Sequence, residues 1–283
     1  MNHALAPLVW LAHHPVARQR PLRTWWRWLY WQVRQRFTTS PKIIPFLSGA
    51  RLAVYPREGL TGYWYLELPE YEEMVFLQRC LRRGDSFLDV GANAGAFAVL
   101  AASLGCQVTA FEPIPQTFAR LRENAELNSR FGPILVLNQA VGATAGWLRM
   151  TTGLGTGNHI LKPGENAPSV EVAVVPLDTA IPSLDKPTFI KIDVEGHEWE
   201  VIQGATELLG SPRLLGLLIE TFRPHNWQLP RLQSLEARLR EHGFVPFDYD
   251  VETNALRALS NPQDGGYNTF YVRDLEVIER RLH

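Results

Sequence analysis

Cysteine is nearly absent from this 283-residue chain: Cys80 and Cys106 are its only two, and they match neither a metal-ligand spacing nor a disulfide framework. They read as small apolar fillers in a reducing, cytoplasmic setting. Long apolar runs are missing too. Residues 4–12 form the longest early one, but it carries a proline, is too short to span a bilayer, and has its basic residues behind it rather than in front, unlike a signal peptide. No internal repeat, low-complexity tail or RNA-binding motif is present, so nucleic acid is not an expected partner. The dinucleotide spacing G-x-G-x-x-G is lacking as well, which weighs against a nicotinamide dehydrogenase.

Negative charge is missing locally. Residues 1–57 hold no Asp or Glu, nine Lys/Arg, and five of the nine tryptophans: Trp10, Trp25, Trp26, Trp28 and Trp31. The whole chain nets only −1, so the remainder is acidic. A helix over residues 22–37 would set Leu22, Trp25, Trp26, Leu29, Val33 and Phe37 on one face, with Arg23, Arg27 and Arg34 along its flank; Trp28 and Trp31 fall off that stripe. Tryptophan-rich helices usually bury their rings. The leading expectation is therefore packing, either as a lid on the main domain or as a homo-oligomer contact, and the second is peripheral contact with a membrane. The extension is placed at residues 1–60 and the main domain at 61–283, with joints at Ser40-Pro41-Lys42 and Pro56-Arg57-Glu58-Gly59.

The rest of the chain is ordinary in bulk and specific in detail. Hydrophobic residues make up 46% and charged residues 20%, which suits a globular protein with a sizeable core. Residues 86–98 pass from an apolar strand (Phe87, Leu88, Val90) through Gly91 and Gly95 into a small-residue helix. The turn reads Asp89-x-Gly91-x-Asn93-x-Gly95. A carboxylate at Asp89 would repel a pyrophosphate but suits the ammonium and sulfonium of S-adenosylmethionine. Glu112 ends the β-prone run 107–112, close to the separation of about 20 residues at which an acid meets both ribose hydroxyls in a β-α-β unit. Capping the helix that follows Pro113 is its structural alternative.

From residue 70 onward strand and helix alternate, with a helix expected over 71–82, another over 198–209 and a third over 232–242. This predicts a doubly wound, mostly parallel α/β sheet of seven strands with ligands at the strand carboxyl ends. Segments 146–151 and 169–175 form an inserted β-hairpin around the Gly-rich loop 153–158. Trp147, Trp199 and Trp227 are candidates to stack on sugar faces, or equally core residues.

The densest chemistry lies in Ile190-Lys-Ile-Asp-Val-Glu-Gly-His-Glu198, where Lys191, Asp193 and Glu195 share one side of a strand. Lys191 is expected to neutralise Asp193 or Glu195. Asp193, Glu195 and His197 are candidate bases, and His159 in the Gly-rich insertion is a fourth. Asp193, Glu195 and Glu220, at neighbouring strand ends, offer oxygen ligands for Mg²⁺ in a rival, metal-assisted mechanism.

Four pieces in order make this chain resemble the FkbM-type S-adenosylmethionine-dependent methyltransferases, a class I, Rossmann-like family. They are Phe87-Leu-Asp-Val-Gly-Ala-Asn-Ala-Gly95; Ala110-Phe-Glu-Pro113 with Asn124 and Asn128; Gln139-Ala-Val-Gly142; and residues 190–198 with Gly204-Ala205. The resemblance spans about residues 71–272 and leaves the extension uncovered. It implies that Asp89, Gly91, Asn93 and Gly95 wrap the methionine part of the cofactor, that Glu112 and its neighbour Pro113 meet the ribose, that Asn138 to Val141, Ala140 among them, meet the adenine edge, and that Asp193 lies closest to the methyl. The implied activity is O-methylation of a hydroxyl on a sugar, glycan, glycolipid or secondary metabolite. The alternative is an inactive cofactor-binding or membrane-docked protein on the same scaffold.

Overall fold

The computed structural model describes residues 6–162, 164–221 and 229–283. Three helices open the chain, α1 (Ala6–His13), α2 (Pro15–Gln19) and α3 (Pro21–Phe37), each of the last two started by a proline whose fixed φ suits the first helical turn. A hairpin follows, β1 (Lys42–Pro45) and β2 (Arg51–Val54), then α4 (Thr61–Leu66) and α5 (Tyr71–Cys80). The alternating core runs β3 (Ser86–Val90), α6 (Ala96–Ser103), β4 (Gln107–Phe111), α7 (Pro115–Leu127) and β5 (Ile134–Leu137). The insertion holds β6 (Ala140–Val141), β7 (Gly146–Thr151) and β8 (Ser169–Val175). The chain then returns through α8 (Leu177–Ala180), β9 (Thr188–Ile192), α9 (Glu198–Gln203), α10 (Thr206–Gly210), β10 (Leu214–Glu220), α11 (Leu229–Glu241), β11 (Val245–Asp250), β12 (Ala255–Ala258), β13 (Asn268–Val272) and α12 (Leu275–Leu282).

The main sheet has the order β5-β4-β3-β9-β10-β13-β11-β12. Its first five strands are parallel, and β13 enters antiparallel to β10. The expected architecture is therefore present, with one strand beyond the seven expected: β12, an edge strand paired to β11. The inserted hairpin β7–β8 also gains a third strand, β6, parallel to β8. The chain leaves β3 toward β4 and β5, then comes back to lay β9 on the other side of β3. That reversal opens a crevice at the carboxyl ends of β3 and β9.

The helix expected over 198–209 is broken into α9 and α10 at Gly204. A Cβ there would stand 2.1 Å from the Gly142 carbonyl oxygen, so the chain narrows to glycine where the insertion crosses the helix. Asn124 and Asn128, both buried on α7, explain how the extension is fastened. Asn124 accepts from the Ala53 N–H (2.7 Å) and donates to the Ala94 carbonyl (2.8 Å), while Asn128 accepts from the Arg51 N–H (2.9 Å) and donates to the Arg51 carbonyl (2.7 Å). Two side chains thus satisfy the backbone edge of β2 as a neighbouring strand would. Trp31, Ile44, Leu52 and Val54 of the extension join one apolar core with Phe87, Phe97 and Phe189.

Helix α3 packs by the face opposite to the stripe read from its sequence. Trp31 is fully buried against Trp64, and Thr24 is buried beside it, whereas Leu22, Trp26, Leu29, Val33 and Phe37 are exposed. The cause lies in α4 and the residue after it. Glu67 gathers Arg20, Arg23 (2.7 Å) and Arg27 (2.9 Å), and the Trp64 indole N–H donates to the Arg27 carbonyl (3.2 Å). Cys80 and Cys106 are buried and free. Among the described residues no helix is long and apolar enough to cross a membrane.

Candidate active site

A cavity of about 610 Å³ opens at the crevice between β3 and β9. Its walls come from the turn after β3, the end of β4, the segment before β6, β7 and the Gly-rich loop that follows it, the loop after β9, and the regions of α1 and α4. A pocket of this size suits a nucleoside-sized cofactor with room for part of an acceptor.

The turn after β3 is built by close backbone approach. Gly91 (φ +80°) and Ala92 both donate to the Phe111 carbonyl, at 3.0 and 2.9 Å, and the Asp193 N–H donates to the Val90 carbonyl (3.0 Å). A Cβ on Gly91 would lie 1.8 Å from the Asp193 carbonyl oxygen, so this glycine is demanded by the meeting of two strand ends. Gly95 (φ +90°) is demanded by α7, because its Cβ would reach 2.6 Å from the Leu121 side chain. Asn93 adopts φ +51°, a left-handed conformation that Asn tolerates better than most side chains. Of these residues Gly91 and Asn93 border the cavity.

Glu112 borders it too and braces the turn. Its two oxygens accept from the Asn93 N–H (3.0 Å) and the Ile114 N–H (2.9 Å), and burial pushes its carboxyl up to about 7. Pro113 and Ala140 line the same wall. Asn138 stands behind it, its amide donating to the Glu112 and Pro113 carbonyls, both at 2.9 Å, while the adjacent Gln139 reaches the cavity.

Lys191 is the electrostatic centre. It is buried, lies opposite Asp89 in the β3–β9 register, donates to Asp193 (2.9 Å), and sits over the Phe97 ring at 4.8 Å. Burial works against its charge, but Asp193, Asp89 and Glu70 more than offset that and raise its pKa. Asp89 is fully buried, one layer behind the cavity wall, and neither carboxylate oxygen makes a hydrogen bond among the described residues. Burial pushes it up to about 6, against the attraction of Lys191; the Ala98 N–H pulls the other way without reaching hydrogen-bond geometry.

Two cavity residues escaped the sequence reading. Glu70 accepts from the Tyr63 hydroxyl (2.6 Å), and burial drives its carboxyl up to about 7 despite Lys191. The pair sits on α4 and just ahead of α5, with no motif to advertise it. Three carboxyl groups, Glu70, Asp89 and Asp193, thus surround one ammonium. Glu70 and Asp193 bring this surplus of acid to the cavity wall, with Asp89 behind them, and a cationic ligand such as the sulfonium and ammonium of S-adenosylmethionine fits it.

Glu195 and His197 also border the cavity. Glu195 takes φ +53° in the turn after β9, and Glu198 stabilises that turn by accepting from the Gly196 N–H (3.0 Å). His197 is wedged: its Nδ1 faces Glu200 at 3.3 Å, Glu200 is held by Arg231 (3.1 Å), and its Nε2 abuts Gly142. Burial lowers the pKa of His197. His159 is placed outside the cavity, its ring nitrogens engaged by the Gly157 carbonyl (3.0 Å) and Glu165 (3.2 Å). Asp193, Glu195 and Glu220 bring carboxylate oxygens within 4.8 Å of one another. Trp147 is exposed on β7, Trp199 packs in the second core cluster, and neither borders the cavity; Trp227 lies outside the described residues.

Comparison with known proteins bears on this cleft directly. A hexuronic acid methyltransferase, AglP, from Haloferax volcanii is 33% identical over 129 residues, covering 45% of this chain and 52% of that protein. The 31-O-demethyl-FK506 methyltransferase FkbM from Streptomyces tacrolimicus is 43% identical over 86 residues, covering 27% of this chain and 32% of the other. The chain thus matches about half of the first relative and a third of the second. A solved methyltransferase from Pyrococcus furiosus aligns with 87% of this chain and 96% of its own at 16% identity and a TM-score of 0.39. The Methyltransferase FkbM domain matches residues 89–246, more than half of the chain, from the end of β3 into β11, and the protein belongs to the FkbM methyltransferase family.

Proposed function

We propose that this protein is an S-adenosylmethionine-dependent O-methyltransferase acting on a hydroxyl of a sugar or glycan. The observation that carries the cofactor is the acid surplus around Lys191 at the β3–β9 crevice, where Glu70 and Asp193 border the cavity. The sugar acceptor is supported by the relative named a hexuronic acid methyltransferase.

When bound, S-adenosylmethionine supplies a methyl group on a positively charged sulfur. Glu112 and Pro113 would hold the ribose end, Gln139 and Ala140 would border the adenine, and the turn at Gly91 and Asn93 would receive the methionine part, all of them cavity-lining residues. Lys191 donates to Asp193 (2.9 Å) and so fixes that carboxyl group at the wall of the cleft, where it would face the positively charged cofactor. Glu70 takes the proton of the acceptor hydroxyl. A carboxylate with a pKa of about 7 is matched to that work at neutral pH, whereas His197 is locked between Glu200 and Gly142. Alignment of the oxygen with the methyl supplies the remaining acceleration. This route calls on no metal ion, and the Lys191 ammonium already sits against Asp193.

Isothermal titration tests the cofactor. Binding of S-adenosylmethionine and of its demethylated product, with none of NAD, is expected; binding of NAD in their place would overturn the reading.

A further inference from the structure

The exposed side of α3 forms a second feature, separate from the cleft. Leu22 (88% exposed), Trp26 (68%) and Phe37 (83%) stand in solvent together with Trp25, Leu29 and Val33, spaced so that all share one helical face. Their exposure is not a packing failure, since the opposite face is fastened by Trp31 (0% exposed), Trp64 and the arginine cluster on Glu67. A contiguous apolar stripe on a well-anchored helix marks an interaction surface.

Charge selects the occupant. Residues 15–37 carry six arginines and no acid. Glu67 meets three of them, Arg34 donates to the neutral carbonyls of Ser40 and Pro41, and Arg18 and Arg36 are exposed. The exposed face is apolar with Arg36 exposed beside it, and three arginines against the single Glu67 leave a net positive charge on the helix's anchored flank. A second copy laid on the same face would set arginine against arginine. Single-stranded nucleic acid would find aliphatic Leu22, Leu29 and Val33 where stacking needs rings. The 17 residues of α3 are neither apolar enough nor long enough to cross a bilayer, so the helix lies along a surface.

We propose that α3 docks on an anionic phospholipid bilayer, with Trp25, Trp26, Leu29, Val33 and Phe37 entering the headgroup region and the exposed Arg18 and Arg36 meeting lipid phosphates. Trp10, on α1 of the same extension, is exposed and also lines the cleft. The inference does not depend on which acceptor is methylated.

Co-sedimentation of the full chain with vesicles tests it. Vesicles of equal phosphatidylcholine and phosphatidylglycerol should retain the protein, pure phosphatidylcholine vesicles should retain far less, and added salt should release it. Trp26→Ser and Leu29→Ser should each lower the partition coefficient on the order of tenfold, with thermal midpoint and S-adenosylmethionine affinity unchanged because both side chains are exposed. Failure of the parent protein to bind anionic vesicles overturns the proposal. So do stripe variants that bind like the parent, a dimer that the same variants dissociate, or RNA binding that they abolish without any effect of lipid.

Discussion

Replacing Glu70 with glutamine should make the protein more stable and nearly inactive. Burial pushes this carboxyl from its ordinary 4.5 to about 7. A folded-state pKa raised that far costs the fold about 3 kcal/mol once the group is ionised, and water in the adjoining cavity screens this to about 1–2 kcal/mol. The sign follows from the raised carboxyl. Below pH 4.5 both folded and unfolded chains hold the proton and no cost exists; the cost grows as pH rises and is complete above about 7. Glutamine cannot ionise and can still accept from Tyr63, so Glu70→Gln should gain about 1–2 kcal/mol at pH 8 and nothing at pH 4. Urea unfolding of the cofactor-free protein at the two pH values measures this. In methyl-transfer assays the variant should lose the proton acceptor, with kcat falling about 100-fold to 10,000-fold. Its S-adenosylmethionine affinity should persist, and the rise of the parent's rate through about pH 7 should disappear. A variant that is destabilised at pH 8, or keeps its rate and pH profile, would refute the assignment.

Three further outcomes follow from the same geometry. Asn124→Ala strips partners from the Ala53 N–H and the Ala94 carbonyl, both buried contacts, and should cost about 2–4 kcal/mol in urea unfolding; a loss under 1 kcal/mol by the same scale would mean that β2 is held otherwise. Lys191→Met removes the ammonium that faces Asp89, Asp193 and Glu70, so their carboxyls should retain protons to higher pH. Its stability loss of about 3–5 kcal/mol at pH 8 should shrink toward pH 5, and a pH-independent loss would contradict the cluster. Treatment with EDTA should leave turnover unchanged; a loss restored by Mg²⁺ would return Asp193, Glu195 and Glu220 to the mechanism as ligands.

The parallel core was legible because its signals are local. Apolar strands, the Gly91 and Gly95 turn and the acid at Glu112 all lie within short windows, and β3, β4 and β9 formed where the pattern put them. Periodicity also identified which α3 residues share a face, but it carries no information on which side is covered. That was decided by Glu67 and Trp64, which lie beyond the helix in sequence and hold the arginine side. Glu70 escaped for a similar reason: its meaning comes from Lys191, a residue distant along the chain and brought near by β9. Asn124 and Asn128 were visible as family residues, yet their task of completing the β2 edge exists only in three dimensions. Gly91 and Gly95 were read as a tight turn in the backbone, but the neighbours that demand glycine there, the Asp193 carbonyl and the Leu121 side chain, come from distant parts of the chain.

The central claim, transfer of a methyl from S-adenosylmethionine to a sugar hydroxyl, is tested most directly with methyl-labelled S-adenosylmethionine and glycans containing uronic acid. Mass spectrometry should find the label as a single O-methyl group on a sugar ring, with Glu70→Gln unable to place it there. Label confined to protein or RNA, or a sugar product that Glu70→Gln forms as fast as the parent, would contradict the account.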